Sequence, residues 1–206
     1  TPDKRNRENN ERDYYNGALY FTPDGSMKMY HKMHLVPFAE YIPFSETFPV
    51  LKRLNFGQGN FTPGRDFTLF QVDSVSFGNL ICYESSIPTF VSQFVRRGAK
   101  FLSIETNDSW CGHTSGVYQH FQIARLRAVE NRVAIARSAN TGISSLILPT
   151  GEIAKKISYN EQKIILAEIP IRDLASFYTR FGELFAIICS LISIILLGIG
   201  WVKNRS

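Results

Sequence analysis

Residues 76–110, SFGNLICYESSIPTFVSQFVRRGAKFLSIETNDSW, decide the fold. The apolar run SFGNLIC, seven residues long and broken at once by Tyr83, Glu84, Ser85 and Ser86, reads as a strand ending at a tight turn. PTFVSQFVRRGA then carries Phe90, Val91, Phe94 and Val95 on one helical face, with Gly98 as its C-terminal stop. KFLSIET is a second strand. Downstream, Tyr118–Asn131 reads as a helix with Phe121, Leu126 and Val129 turned inward and Arg125, Arg127 and Glu130 polar; the two arginines are expected to form a solvated or structural face. VAIARSA, GISSLILP and IAKKISY follow as strands joined by NTG and PTGE turns. Upstream, DFTLFQV pairs with SFGNLICY around Asp73 and Ser74, and a hairpin of Ala18–Phe21 and Met27–Leu35 turns at TPDGS. Between hairpin and sheet lies a long Pro- and Gly-rich irregular region, of the length that usually carries function. Strand–helix–strand–helix–strand gives an α/β class with helical cover, and the flanking hairpins make the sheet mixed.

Composition narrows the function. At 44% hydrophobic and 13% aromatic, the 206 residues are enough for one substantial core. The net charge of +5 is spread along the chain without a basic run interleaved with aromatics, so no nucleic-acid partner is expected. An anionic membrane surface accounts for the same charge. Leu184–Val202, LFAIICSLISIILLGIGWV, is uncharged and about as long as a helix needs to cross a bilayer; a fully buried soluble helix is the alternative. Trp201 and the basic Lys203 and Arg205 fit an interfacial anchor and a cytoplasmic tail, which places the preceding domain on the outer face. The opening TPDKRNRENNERD, residues 1–13, reads as a polar arm with no apolar export signal. An outer-face domain without its own export signal is expected to begin partway through a longer protein.

In α/β sheets ligands gather at the carboxyl ends of the strands. Cys82 stands there, and the backbone N–H groups of Tyr83 and its neighbours could stabilise a thiolate or an oxyanion. ETNDSW ends the next strand in the same way, so Asn107, Asp108 and Trp110 are expected at the same crevice. Against this, free cysteine is most often an inert buried residue. A disulfide between Cys82 and Cys111 is also open, while Cys189 lies inside the apolar segment. No cysteine pair or histidine cluster suggests zinc. A Cys–His pairing could draw on His31, His34, His113 or His120, none in a characteristic context. Lys32, in the half-apolar MYHKMHLVPF just before the loop, is either a snorkelling surface lysine or the cation a thiol nucleophile requires.

YHKMHLVPFAEYIPF, NLICYESSIP, TNDSWCG, QHFQIARLRAVENRVAIARSANTGISSLILPTGEI and FYTRFGELF before an apolar helix resemble the apolipoprotein N-acyltransferases, the membrane-bound branch of the nitrilase (carbon–nitrogen hydrolase) superfamily. The resemblance runs from about Tyr14 to the C-terminal helix. It implies a nitrilase-like αββα sandwich and a Glu–Lys–Cys triad. It also implies transfer of an acyl chain from a phospholipid, through a cysteine thioester, to the α-amino group of a diacylglyceryl apolipoprotein in the bacterial inner membrane. Cys82 matches the nucleophile, and Lys32 the lysine that stabilises thiolate and oxyanion. Glu40 matches a second carboxylate that orients Lys32 and the general base, and Tyr83 and Glu84 match residues beside the nucleophile needed for transfer to the amine. Each has a bland counterpart: Glu40 as a loop carboxylate, Glu84 as a helix N-terminal charge, Trp110 as core packing.

One departure stands out. The family's general-base glutamate follows an earlier strand, and neither Glu8 nor Glu11 fits it; the family's N-terminal membrane helices have no counterpart either. The expected organisation is a catalytic domain over residues 14–178, incomplete at its start, and a transmembrane helix with a basic tail over 179–206, acting as a monomer. Such a segment is expected to be inactive alone. No metal or organic cofactor is implied. A membrane-tethered amidase or nitrilase, and a non-catalytic lipoprotein-binding module, are the other readings.

Overall fold

The computed structural model describes residues 13–45, 47–54, 60–112, 114–173 and 176–204. The polar arm thus lies outside the described residues apart from Asp13, as do His113 and Arg205.

A six-stranded mixed sheet organises the domain. Its strands are β3 (Leu69–Val72), β4 (Val75–Ile81), β5 (Phe101–Thr106), β6 (Ala134–Ala139), β7 (Ser144–Ile147) and β8 (Ile153–Ile157), in spatial order β3-β4-β5-β6-β7-β8. β4, β5 and β6 are parallel, with Phe77 opposite Phe101 and Phe101 opposite Ala134. The helices α1 (Pro88–Arg96) and α2 (Gly116–Asn131) make the two crossovers. The hairpin strands on either side are antiparallel. The mixed α/β arrangement read from the sequence is therefore the one observed.

The helices cover one face of the sheet. Leu80, Leu102, Ile104 and Ile135 of the parallel strands are wholly buried, along with Val91 and Phe94 of α1 and Ala124 and Ala128 of α2. A Leu-sized side chain buried this way contributes about 1.5–3 kcal/mol. α1 starts cleanly because Pro88 occupies its first turn, where no amide hydrogen is needed. It stops at Gly98, whose φ of 105° suits only a residue without Cβ.

The inward face of α2 differs from the expectation. Phe121 is buried, but Leu126 is 49% and Val129 36% exposed. Val117, Phe121, Ala124, Arg127, Ala128 and Asn131 point inward instead. The two polar residues are accommodated because each finds a partner. Arg127 pairs with Glu130 at 3.2 Å, and the Thr179 hydroxyl donates to Asn131 Oδ1 at 3.1 Å. Of the two arginines, Arg127 is thus a buried structural group, while Arg125 donates to the Gly151 carbonyl.

β1 (Gly17–Phe21) and β2 (Met27–His31) form a separate antiparallel hairpin. It packs on the sheet through Tyr20, whose ring lies 5.3 Å from Phe70 and 5.5 Å from Phe77. β2 ends at His31, not at Leu35, because the amides of Met33 and His34 turn away to a side-chain carboxylate described below. Lys32 follows directly, held by backbone bonds to Asn16 and Gly64.

Beyond the short α3 (Phe177–Phe181), α4 runs from Leu184 to Lys203. Its 20 residues have a mean hydropathy of 2.6 over the most apolar window, and none is buried. At 1.5 Å per residue it is about 30 Å long, the thickness of a bilayer's hydrocarbon core. A buried soluble helix is not what forms here.

Candidate active site

The strand-ending turn at Cys82 is built by the residues that follow it. Cys82 opens a single 3₁₀ turn, Cys82–Ser86, with a left-handed φ of 51°. Such a conformation in a non-glycine residue costs about 1–3 kcal/mol and persists only where its surroundings enforce it. Glu84 supplies much of that enforcement. Fully buried, it accepts hydrogen bonds from the Tyr30 hydroxyl and the Met33 amide at 2.7 Å, the Ile81 amide at 2.8 Å and the His34 amide at 3.1 Å. Burial pushes its carboxyl above the usual range, and these donors pull against that. The carboxylate thus ties the end of β4 to the chain leaving β2.

On the opposite wall Lys32 is 1% exposed, with Nζ 2.7 Å from Glu40 Oε2. Glu40 also accepts from the Val36 amide and from Asn16 Nδ2, each at 2.8 Å. A tight turn delivers it there, since the amides of Ala39 and Glu40 both bond back to the Val36 carbonyl. Burial opposes ionisation of Glu40, but the Lys32 bond and charge and the other two donors outweigh it and hold the carboxyl below its usual range. Lys32 is not a snorkelling surface group. It is a buried cation paired with the Glu40 carboxylate.

These two walls enclose a cleft of about 580 Å³. Lys32, Glu40, Cys82 and Tyr83 line it, together with Asn107, Asp108 and Trp110 from beyond the end of β5, as the strand-end argument anticipated. Trp110 is 60% exposed, so it forms part of the rim and not of the core. Cys111 lines the cleft as well, and both it and Cys82 are free thiols, so the disulfide is not formed. Burial, then the charge of Asp108, push the Cys111 thiol up.

The carbon–nitrogen hydrolase family pattern matches residues 2–179. The chain belongs to the carbon–nitrogen hydrolase family. It is 40% identical over 200 residues to the apolipoprotein N-acyltransferase of Chlorobaculum tepidum, covering 93% of this chain and 38% of that protein. To the enzyme of the same name from Geobacter metallireducens it is 37% identical over 177 residues, covering 85% and 34%. The chain thus spans less than two fifths of the length of these curated relatives. Among solved structures, Saccharomyces cerevisiae Nit3, of branch 10 of the nitrilase superfamily, matches 72% of this chain and 51% of its own, with a TM-score of 0.54 at 22% identity. A carbon–nitrogen hydrolase from Helicobacter pylori covers 73% and 55%, with a TM-score of 0.56 at 20% identity. At such identities the two structures establish the nitrilase fold.

Within this carbon–nitrogen hydrolase fold the residues singled out in the sequence separate. Cys82, Tyr83, Lys32 and Glu40 share the cleft, whereas Glu84 lies behind the Cys82 turn and does not line it. Besides Glu40, the carboxylates lining the cleft are Glu105 and Asp108. Burial raises the carboxyl of Glu105, which precedes Thr106 at the end of β5. Glu8 and Glu11 lie outside the described residues. His31 stacks on Tyr15 and His34 packs edge-on against Phe90, and only His120 of the described histidines reaches the cleft.

His120 was not distinguishable from the other histidines in the sequence; Asp108 was expected at the crevice, but neither its pairing with His120 nor the part of Arg137 was foreseen. Its Nδ1 lies 2.9 Å from Asp108 Oδ1, and its Nε2 faces Ser85 Oγ at 2.9 Å and the Cys82 carbonyl at 3.2 Å. Asp108 is held in turn by the Thr106 hydroxyl at 2.9 Å and by the buried Arg137 at 2.7 Å. Burial disfavours the Asp108 charge, yet the bonds from His120 and Arg137 and the Arg137 cation prevail and keep the carboxyl well below the carboxylate range. Gly142 is required alongside, because a Cβ there would overlap the Asp108 carboxylate. Among the described residues no group of three His, Cys, Asp or Glu side chains could hold a metal ion.

Proposed function

We propose that this chain carries the thiol, the lysine and the membrane anchor of a lipoprotein N-acyltransferase. The carrying observation is the buried Lys32–Glu40 pair sharing one cleft with a cysteine held in a left-handed turn at a strand end. The curated relatives bearing that name supply the substrate classes.

In the first step the Cys82 thiolate attacks an ester carbonyl of a phospholipid. A C–S bond forms, the ester C–O bond breaks, and the lysophospholipid alkoxide leaves with a proton. In the second, the free α-amine of a diacylglyceryl apolipoprotein attacks the thioester. A C–N bond forms, the C–S bond breaks, and the amine proton is taken up by a base. Lys32, with Glu40 fixing its head group, places positive charge where the thiolate and each oxyanion develop. Tyr83, 39% exposed on the cleft wall, is placed to meet the incoming substrates. Glu84 serves from behind, holding the turn. The general base is a glutamate that the resemblance places well upstream of the Lys32 motif, after an earlier strand, and the role is assigned neither to Glu8 or Glu11 nor to any residue of the cleft.

α4 anchors the domain to a bacterial inner membrane, with the cleft on the periplasmic side and the basic tail in the cytoplasm. An acyl donor dissolved in that bilayer is then beside the site.

The test is to incubate the full-length protein with labelled phospholipid and look for a hydroxylamine-labile acyl adduct. Cys82→Ser should form none, and the label should pass on to a lipopeptide amine in preference to water. The same adduct on Cys82→Ser overturns the nucleophile assignment, and release of free fatty acid alone favours a hydrolase.

A further inference from the structure

We propose that His120, braced by Asp108 and Arg137, is the positioning residue for the oxyanion-binding peptide of this site, acting through the carbonyl of Cys82. The inference rests on Cys82 being the acylated nucleophile.

The carbonyl of Cys82 and the amide of Tyr83 belong to one planar trans peptide unit, so they point in opposite directions. The Ser85 hydroxyl and the His120 imidazole fasten that carbonyl. The Ser85 hydroxyl donates to it at 2.8 Å, and His120 Nε2 lies 3.2 Å from it and 2.9 Å from Ser85 Oγ. Because the Ser85 hydroxyl donates to the carbonyl, its oxygen is left to accept, and it does so when Nε2 carries a proton. The opposite end of the unit, the Tyr83 N–H, sits in the first turn after Ile81, where amides have no partner within the helix. Tyr83 lines the cleft, so a fixed Cys82 carbonyl sets the direction of the N–H nearest the reacting carbon. Donors on the carbonyl also polarise the unit and strengthen that N–H.

His120 could not hold this direction by packing alone. Its other nitrogen is fixed by Asp108, itself fixed by Thr106 and Arg137, and Arg137 donates onward to the Ile143 carbonyl. Asp108 and Arg137 are 2% and 3% exposed. Residues from the ends of β4 and β5, from α2 and from β6 thus converge on one peptide group. Glu84 fixes the turn from its other side, through the Ile81 amide. Between them the two anchors hold the left-handed Cys82 from both ends.

The experiment compares His120→Gln and His120→Asn in the full-length protein. A Gln amide reaches the place of Nε2 and keeps a donor on the Cys82 carbonyl, whereas an Asn amide reaches only the place of Nδ1. Acylation is read as the p-nitrophenolate burst with p-nitrophenyl butyrate, and thiol availability as iodoacetamide alkylation of Cys82, a displacement that develops no oxyanion. His120→Asn should acylate about 30- to 100-fold more slowly, toward the loss seen on removing an oxyanion donor, with His120→Gln within about threefold of wild type. Alkylation should stay within about threefold for both, since the thiol itself is untouched. Should His120→Asn not fold, Ser85→Ala, which removes the other donor, should slow acylation about three- to tenfold with alkylation unchanged. Wild-type acylation by His120→Asn, equal losses in Asn and Gln, or unchanged acylation in Ser85→Ala overturns the proposal. A wild-type protein acylated by the nitrophenyl ester but inert to phospholipid refutes only the proposed donor. A wild type that forms no adduct at Cys82 refutes the nucleophile and this inference with it.

Discussion

Replacing Glu84 by Gln separates an anchor behind the Cys82 turn from a group that meets substrate. The carboxylate receives three donors at Oε1 and one at Oε2, and among the described residues only the Tyr30 hydroxyl facing it could also accept. An amide can satisfy the three donors only by setting its NH₂ against the Ile81 N–H, two donors face to face. One charge-assisted bond is lost, worth about 1.5–3 kcal/mol, and a buried N–H is left unpaired at a further cost of about 1–3 kcal/mol. Allowing for partial relaxation, the expected loss is about 3–5 kcal/mol, roughly the cost of stripping a buried charge of its partner. That loss acts on the turn holding Cys82, so the melting temperature of the full-length protein should fall by several degrees. Below that temperature, acylation of Cys82 and transfer to a lipopeptide amine should slow together, since both use the same turn. An unchanged melting temperature with transfer to the amine selectively abolished would refute the reasoning, because Glu84 would then be acting on the acceptor.

Two further outcomes follow from the buried cations. Lys32→Met should leave a folded protein, with Glu40 still bonded to Val36 and Asn16, but slow thioester formation about 10²–10³-fold in a single-turnover assay. Arg137→Ala strips buried Asp108 of its strongest counter-charge and should cost about 3–5 kcal/mol in denaturant titration. Because the folded Asp108 carboxyl lies below its unfolded value, its contribution is present above about pH 4 and is lost as pH falls toward the folded value. Stability should therefore hold from pH 8 to 5 and decline below, and in Arg137→Ala the part of that decline due to Asp108 should shrink, because its folded carboxyl returns toward the unfolded value.

Much of this was legible along the chain. The strand–helix–strand order of 76–106 follows from an apolar run, a helical stripe and a glycine stop, all features of neighbouring residues. Cys82 could be placed at a strand end, and with it the expectation that Asn107, Asp108 and Trp110 would share its crevice. Lys32 and Glu40 are eight residues apart, and the motif resemblance linked them. α2 was misjudged because periodicity sorts residues by hydropathy alone. Arg127 and Asn131 are buried where Glu130 pairs with the one and Thr179 bonds the other, while Leu126 is left in solvent. Glu84 illustrates the same limit. Its position beside Cys82 is evident, but not that it turns backward to bind amides some 50 residues away.

By itself the sequence determined the α/β class, the apolar C-terminal helix and the strand that ends at Cys82, because hydrophobic period and turn chemistry are local properties. Tertiary structure decided which polar groups converge. Asp108, His120 and Arg137 lie 12 to 29 residues apart on three elements, and only the parallel pairing of β5 with β6 beneath α2 brings them to the Cys82 carbonyl. Their meeting is driven by the cost of leaving buried charges and amides unpaired, a cost that depends on where the chain folds and not on which residues stand next to one another.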